Sequence, residues 1–340
     1  MLSVLFLVRE KLKNRLLAFS VAVASVIGLA GCAPAQDETL VVYVGRAETL
    51  IQPLIDQYIS ESGVEVEVRY AGSAELAAQI LEEGNNTPAD VFFAQDAGAL
   101  GAVSKAGLLQ VLDQNLLDLV DPNYRAYDGS WIGVSGRVRV LNYNPERVTE
   151  LPASVLDLAL PEWEGRVGIA PTNASFQAFV TALRLVEGEE VALSWLQAMK
   201  TNGVVFEKNS AILEAVETGQ VDVGLINHYY WYARANEVGL DQMTSKIAAF
   251  EAQDVGNLRN VAGVGILSED PKAKAFVEFL LSETAQQYFV TETSEYPLIQ
   301  GVEPLPGLTP LEQIPAPDFD LNDLDALEQT LELIRSAGLI

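Results

Sequence analysis

Short apolar runs alternate with longer amphipathic segments along most of this chain. The runs "TLVVYVGR", "VEVEVRY", "ADVFFA", "GRVGIAP", "VDVGLI" and "NVAGVGIL" predict buried or half-buried strands. Between them, segments such as "ETLIQPLIDQYISESG" and "SAELAAQILEEG" have apolar residues at helical spacing and end at a glycine typical of a helix C-cap. Strands that alternate with helices of this length predict an α/β protein with a parallel sheet.

The strand and helix pattern divides into two blocks, at about 38–137 and 138–260. A tail follows, in which "DPKAKAFVEFLLSETAQQYFV" predicts a helix, a proline-rich stretch is expected to run along the surface, and "DLDALEQTLELIRSAG" predicts a final helix. In open α/β sheets, ligands bind beyond the carboxyl ends of the strands. We therefore expect a cleft between two lobes, formed by the segments that follow the strands.

The N-terminus has the pattern of an export signal. A basic segment, "REKLKNR", precedes the apolar run "LLAFSVAVASVIGLAGC", which is typical of a secretory signal peptide rather than of a folded element. Its end resembles a bacterial lipobox, which predicts a lipoprotein signal at 1–31, lipid attachment to Cys32 and a tether at 32–38. A plain signal peptide or a short membrane anchor, with Cys32 incidental, is the alternative. Since Cys32 is the only cysteine, we expect no intramolecular disulfide.

The charge balance limits the class of partner. The 340 residues include 47 Asp and Glu against 21 Lys and Arg, for a net charge of −26. Nucleic acids are bound by basic patches, so this composition argues against a nucleic-acid partner. The negative charge is compatible with a cationic ligand, although a saline habitat or a need for solubility explains it equally well.

No sequence motif points to catalysis. The chain contains neither a Walker-type phosphate loop nor a GxGxxG segment after a strand, and it has too few Cys and His residues for a typical zinc site. His228, the only histidine, is the one candidate general base. A hydrolase that relies on His228 is therefore the enzyme alternative to a binding protein.

The stretch "LINHYYWYARAN" concentrates aromatic residues where a predicted strand ends. Asn227 is a candidate helix N-cap, and Tyr229 and Tyr230 follow it in the first helical turn. Adjacent helical residues diverge by about 100°, but in the first turn both side chains can reach over the helix end. A phenol, with a pKa of about 10, ionises at neutral pH only beside a strong positive charge, and Fe³⁺ is the hard cation to which phenolate is best suited. Packing of both rings in the core is the alternative.

Several longer segments resemble those of one family. They are "VVYVGRAE", "EEGNNTPADVFFAQDAGAL", "SGRVRVLNYN", "GRVGIAPTNASFQAFVTAL", "KNSAILEAVETGQVDVGLINHYYW" and "SEYPLIQGV". In these the chain resembles the periplasmic ferric-ion-binding proteins of bacterial ABC iron importers, also called bacterial transferrins. The resemblance implies a two-lobed, type II periplasmic-binding-protein fold of the α/β class, with two mixed β-sheet domains, flanking helices and a hinge. It places 39–137 plus about 261–300 in the N-terminal lobe, and 138–260 plus about 301–340 in the C-terminal lobe.

The resemblance also implies a set of ligands. Fe³⁺ is expected to bind the phenolates of Tyr143, Tyr229 and Tyr230, and a synergistic bidentate anion such as carbonate, or water molecules, are expected to fill the remaining coordination positions. The residues at positions expected to hold this anion are Arg46, Arg137, Asn173, Ser175, Asn209 and Asn227. For the two arginines, an ion pair with a protein carboxylate is the alternative.

Two positions depart from the family pattern. Ala47 stands where some members have a histidine ligand, and Gln95 stands where some have a glutamate. Gln95 and His228 are therefore candidates either for an additional metal ligand or for residues that contact the ligands without binding the metal themselves. A type II binding protein for an oxyanion or an organic cation is the alternative that these departures support.

The function implied by the resemblance is capture and delivery. A monomeric, lipid-anchored protein outside the cytoplasm would capture Fe³⁺ in the cleft and deliver it to an ABC permease with its ATPase. It would not catalyse a reaction.

Overall fold

A computed structural model describes residues 39–317 and 319–340 of the chain. The predicted lipoprotein signal, Cys32 and the tether at 32–38 lie outside these residues. No helix within the two described ranges is long and apolar enough to cross a membrane.

The described residues form nine strands that are connected by hydrogen bonds into one sheet, eight along a single path and one, β8, as a branch. They are β1 (Thr39–Val44), β2 (Glu65–Tyr70), β3 (Val91–Ala94), β4 (Trp131–Tyr143), β5 (Val167–Ile169), β6 (Gly203–Val205), β7 (Val223–Asn227), β8 (Lys246–Ala248) and β9 (Arg259–Ile266). Their order is β2-β1-β3-β9-β4-β7-β5-β6, with β8 paired to β4. β1 runs parallel to β2 and β3, and β5 runs parallel to β6 and β7, whereas β4 and β9 are antiparallel to every strand they pair with. The expected α/β class with mixed sheets is confirmed, and the expectation of a purely parallel sheet is wrong because β4 and β9 reverse direction.

Eleven α-helices in the described part of the chain accompany the strands. They are α1 (Glu48–Ser62), α2 (Ser73–Glu83), α3 (Ala97–Lys105), α4 (Gln114–Leu117), α5 (Ala174–Glu187), α6 (Glu189–Asn202), α7 (Asn209–Glu217), α8 (His228–Val238), α9 (Pro271–Leu280), α10 (Glu283–Thr291) and α11 (Leu327–Ser336). Gly63 ends α1 with a left-handed φ of 71°, as the sequence predicts. The segment predicted as one helix at the start of the tail is two, α9 and α10, since Ser282 caps α10 by accepting a hydrogen bond from the backbone N–H of Ala285.

Strand β4 connects the two halves of the sheet. From Trp131 to Val138 it pairs with β9, and from Arg139 onward it pairs with β7 and β8. Twelve of its thirteen residues are buried, because it lies in the middle of the strand order with neighbours on both sides. This change of partners lies close to the predicted lobe boundary at 137/138, while the full lobe assignment stays a prediction.

The parallel strands bring several helix N-termini to shared edges of the sheet. The carboxyl ends of β5, β6 and β7 lie at one edge, and α5, α7 and α8 begin shortly after them. In the other half, β1, β2 and β3 lead in the same way into residues 45–47, α2 and α3. Arg139 of β4 is paired with Asn227 at the end of β7. The point at which β4 changes partners is therefore beside the edge from which α8 starts.

The tail contacts both halves of the molecule. Lys105 at the end of α3 forms an ion pair with Asp325 at 3.1 Å, and the hydroxyls of Thr181 in α5 and Thr330 in α11 are 2.7 Å apart. Residues 301–340 therefore contact both halves, and their assignment to one lobe stays a prediction. Buried apolar residues from both halves also belong to one continuous core.

Candidate metal and anion site

Tyr229 and Tyr230 lie against each other at the start of α8. Their ring centroids are 4.4 Å apart and the ring planes are inclined by 33°. Tyr229 is 2% exposed and Tyr230 is half-buried. Asn227 makes no side-chain cap bond to α8. Instead, its Nδ2 atom donates to the Tyr229 hydroxyl at 3.3 Å. The two phenols therefore converge at the helix end, as the sequence predicts.

The phenol of Tyr230 does not ionise readily in this environment. Burial raises the pKa of Tyr230 well above its ordinary value, and the charge of Tyr229 and a hydrogen bond with it raise the pKa further. The Arg46 guanidinium acts in the opposite direction and lowers this pKa. A metal ion that binds the phenolate must displace the proton, so binding is coupled to proton release.

Arg137 is a buried cation with free donors. Its side chain is 1% exposed, and neither Nη1 nor Nη2 has a hydrogen-bond partner among the described residues. Burial lowers the pKa of Arg137, although the nearby charges of Tyr229 and Asp96 oppose the shift. A buried guanidinium without partners is unfavourable. Arg137 makes no ion pair within 4.0 Å among the described residues, and both of its Nη atoms are available to a ligand.

A second buried guanidinium on β4, that of Arg139, was not predicted. Its Nη1 and Nη2 atoms donate to the carbonyls of Ser175 at 3.2 Å and Leu225 at 3.3 Å, and its charge lies over the Phe179 ring, 5.0 Å from the centroid. Burial and the charge of Arg137 lower the pKa of Arg139 to about 9. The signal was present in "SGRVRV", because residues two apart on a strand share a face.

Arg46 is held by a carboxylate rather than left free for an anion. Its Nη2 atom donates to Glu295 Oε2 at 2.8 Å, and its Nη1 atom donates to Ser135 Oγ at 3.4 Å. Burial acts to lower the pKa of Arg46, but the charge and hydrogen bond of Glu295, together with Tyr229 and Tyr230, outweigh burial and the pKa is raised. The ion-pair alternative therefore describes Arg46. Glu295 was not predicted as a site residue, although it lies in the quoted segment "SEYPLIQGV".

Three of the predicted anion-binding residues form a hydrogen-bonded group. Asn173 caps α5, and its Oδ1 atom accepts from the Ser175 backbone N–H at 3.1 Å, from Ser175 Oγ at 2.6 Å and from Asn209 Nδ2 at 3.1 Å. Asn209 Oδ1 is buried without a hydrogen-bond partner among the described residues. The structure thus brings Asn173, Ser175 and Asn209 together at the N-termini of α5 and α7.

Tyr143 does not lie with the other two tyrosines. It is opposite Val223 at the start of β7, whereas Asn227 at the end of β7 is opposite Arg139. Four residues of strand separate these two levels, which corresponds to about 13 Å. The strand register therefore places Tyr143 at the other end of β7 from the residues that lead into α8.

Gln95 and His228 occupy different surroundings. Gln95 is buried at the carboxyl end of β3, and its Nε2 atom has no hydrogen-bond partner in the described part of the chain. His228 Nδ1 accepts from the Val138 backbone N–H at 3.3 Å, and its ring centroid lies 4.9 Å from that of Tyr296. Burial lowers the pKa of His228 to about 3, so the imidazole is neutral. Ala47 is exposed directly before α1 and offers no side-chain donor.

No group of three or more His, Cys, Asp and Glu side chains within residues 39–317 and 319–340 is placed to hold a metal ion. A cation at this site would therefore depend on phenol oxygens, on single carboxylates and on an added anion. Those are the donors that a hard cation prefers.

Known proteins share the sequence and the fold. The model of a family described as bacterial extracellular solute-binding protein matches residues 86–321. An Fe(3+)-binding periplasmic protein of Serratia marcescens is 36% identical over 314 residues, which cover 91% of this chain and 93% of the relative. A major ferric iron-binding protein of Neisseria meningitidis is 34% identical, over 88% of this chain and 93% of its own.

The chain belongs to this family of bacterial extracellular solute-binding proteins. Its structure matches that of iron-bound HitA from Pseudomonas aeruginosa with a TM-score of 0.84 and 37% identity, over 88% of this chain and 99% of HitA. The resemblance to ferric-ion-binding proteins and the type II fold are thereby confirmed. The relatives in this solute-binding family are binding proteins rather than enzymes, which removes the basis for the hydrolase alternative.

Proposed function

We propose that this solute-binding protein captures ferric iron through the phenolates of Tyr229 and Tyr230, together with an anion. The observation that supports the proposal most directly is the pair of adjacent phenols, one buried and one half-buried, near the unpartnered guanidinium of Arg137. The names of the Serratia and Neisseria relatives, which specify ferric iron, support the same cargo.

The coordination chemistry of Fe³⁺ supports the presence of an anion in the site. Two phenolates supply two oxygen donors, and octahedral coordination needs six. Carbonate, or another small bidentate anion, would add two oxygens. The free Nη atoms of Arg137 and the adjacent N-termini of α5, α7 and α8 offer donors and positive potential to hold it. Asn173, Ser175, Asn209 and Asn227 would complete this side of the pocket.

Delivery is the second half of the proposal. We infer that the protein works as a monomer outside the cytoplasm, attached to a bacterial membrane through a lipid on Cys32. It would release iron to an ABC permease that is driven by its ATPase. The family match and the relatives described as periplasmic support the compartment.

Replacement of single tyrosines tests the iron site. We expect Tyr229→Phe and Tyr230→Phe each to reduce ferric affinity by at least about 100-fold, because phenylalanine keeps the ring packing but lacks the oxygen that binds the metal. The measurement is competition with citrate, followed through the visible band that arises from charge transfer between phenolate and ferric iron.

Tyr143→Phe is the matched control, since its ring lies at the other end of β7. It should leave affinity and colour unchanged. Wild-type affinity in both Tyr229→Phe and Tyr230→Phe would overturn the assignment. A wild-type protein that binds no ferric iron but does bind an oxyanion or an organic cation would favour the alternative ligand.

A further inference from the structure

Glu295 is a buried carboxylate of which only one oxygen is satisfied. The residue is 0% exposed. Its Oε2 atom accepts from Arg46 Nη2 at 2.8 Å and from Thr293 Oγ1 at 2.9 Å. Its Oε1 atom is buried and has no hydrogen-bond partner among the described residues. A carboxylate oxygen in this state is unfavourable unless a donor or a cation occupies the space beside it.

The backbone fixes where this carboxylate lies. Ser294 has a φ of 58°, in the left-handed region that non-glycine residues rarely adopt. The Glu295 N–H donates to the Phe289 carbonyl at 2.9 Å, and Tyr296 exchanges two backbone hydrogen bonds with Gly136 of β4, at 2.8 and 2.9 Å. Strained backbone that its surroundings hold in place is concentrated at functional sites. Here it directs Glu295 inward, to the side chain of Arg46.

The same carboxylate lies near the start of α8. The residue after it, Tyr296, has its ring centroid 4.9 Å from that of His228, and the His228 centroid is 5.8 Å from that of Tyr229. Arg46 links Glu295 to Ser135 of β4, two residues before Arg137. Glu295 is therefore joined by short contacts both to the helix that carries the tyrosines and to the strand that carries the free guanidinium.

The proposed phenolate donors all come from one half of the molecule. In the half that contains β1 to β3, Ala47 has no donor atom, and Gln95 offers a neutral amide. Hard trivalent cations prefer anionic oxygens. Two buried carboxylates, those of Asp96 and Glu295, each have one oxygen without a hydrogen-bond partner among the described residues. Asp96 caps α3, whereas Glu295 is held by Arg46, and the next residue, Tyr296, packs on His228 at the start of α8.

We propose that Glu295 is a further ferric-ion ligand, with Oε1 as the donor atom and with Oε2 anchored by Arg46. The inference rests on the proposed iron-binding function. Two phenolates and one carboxylate would neutralise the three charges of Fe³⁺, and the guanidinium groups of Arg137 and Arg46 would then match the two charges of a carbonate. Glu295 would also join the tyrosines of one half of the sheet to the other half through the metal.

Removal of the Glu295 charge tests the proposal. The protein is titrated with ferric nitrilotriacetate in bicarbonate buffer, in competition with citrate. Glu295→Gln is expected to weaken ferric binding at least about tenfold. It should also move the phenolate-to-iron band to longer wavelength, because the loss of an anionic donor makes the iron a stronger acceptor of charge. Glu292→Gln, the same change at an exposed position three residues earlier, should alter neither quantity.

A variant of Arg46, Arg46→Gln, distinguishes two roles for Glu295, direct binding of iron and positioning of the Arg46 side chain. If Glu295 binds iron, the double variant Arg46→Gln/Glu295→Gln shows a weaker affinity and a longer-wavelength band than Arg46→Gln alone. Identical behaviour of the double variant and Arg46→Gln would overturn the proposal, as would a Glu295→Gln protein with wild-type affinity and band.

Glu295→Asp, which retains the charge but withdraws the oxygens by one methylene, replaces Glu295→Gln if the latter does not fold, and the same weakening and band shift are expected. A wild-type protein with no ferric band would instead refute the proposed function itself.

Discussion

Several buried polar atoms of the candidate site have no hydrogen-bond partner among the described residues. Among them are both Nη atoms of Arg137 and one atom each of Gln95, Asn209 and Glu295. Buried polar groups in folded proteins are normally paired. A ligand that satisfies these atoms would bind the folded state only, and it would therefore stabilise the protein.

His228 gives a prediction at this scale, because its folded-state pKa of about 3 is below the ordinary value of 6.5. The folded state therefore excludes the proton that the unfolded chain takes up. Its contribution to stability is complete above about pH 6.5 and is lost as the pH falls toward 3, by about 1.4 kcal/mol for each pH unit. Urea unfolding of the metal-free protein at pH 7.5, 5.5 and 4.5 measures this loss.

His228→Asn, which can keep an acceptor toward the Val138 N–H, should lose less stability over the same pH range. His228 is the only histidine, so no other imidazole contributes to the difference. Equal losses in the two proteins would show that the buried imidazole is not responsible.

At the scale of elements, the parallel run of β5, β6 and β7 determines the anion side of the site. Each of these strands leads into a helix, and the N-termini of α5, α7 and α8 meet at one edge. Positive helix ends favour bound anions. Arg137 and Arg139 of β4 lie beside this edge, since Arg139 is paired with the last residue of β7. The arrangement places the helix that carries Tyr229 and Tyr230 beside two helices whose N-termini favour a bound anion.

We expect ferric loading of the wild-type protein to depend on bicarbonate, and Arg137→Gln to lose most of that dependence, because the change removes both free Nη donors. The measurement is ferric affinity with and without bicarbonate, in the absence of other chelating anions. Arg335→Gln, at an exposed position in the last turn of α11, is the control. Full wild-type affinity in carbonate-free buffer would show that protein side chains or water complete the coordination.

At the scale of the whole molecule, the candidate site takes residues from both halves. Arg46 and Gln95 follow β1 and β3, and Glu295 precedes Tyr296, which pairs with Gly136 in the part of β4 that also pairs with β9, whereas Tyr229 and Tyr230 follow β7. Strand β4 runs through both halves and contributes the two arginines. A metal ion bound by Tyr229, Tyr230 and Glu295 would therefore act as a link between the halves. Loss of the metal is expected to weaken that link without removing the shared core.

Acid should release iron before it unfolds the protein. Because the pKa of Tyr230 is raised well above its ordinary value in the metal-free site, binding at neutral pH expels a proton, and affinity must fall as pH falls. A pH titration that follows the visible band together with far-UV circular dichroism checks this. The colour should disappear in mildly acidic buffer while the dichroism is retained. Loss of both signals in one transition would mean that release is a consequence of unfolding.

Local patterns in the sequence determined much of this architecture. Alternating and continuous apolar runs predicted most of the strands, and Gly63 marked the end of α1 because a left-handed residue can stop a helix there. Tyr229 and Tyr230 directly follow a strand, which predicted a pair of phenols at the start of a helix. Because the two residues are adjacent in the sequence, their rings lie close together in the structure. The motifs of the family predicted the type II fold.

Tertiary structure decided the features that depend on pairing between distant residues. The antiparallel pairing of β4 with β7 places Tyr143 opposite Val223, at the other end of β7 from the helix that carries Tyr229 and Tyr230. Local sequence does not determine this register, because it is set by pairing between strands that are distant in the chain. Arg46 was predicted to hold an anion, but it pairs with Glu295, 249 positions away. Periodicity reports which residues are buried and on which face. It does not report which buried charges meet, because that contact depends on how separate elements pack.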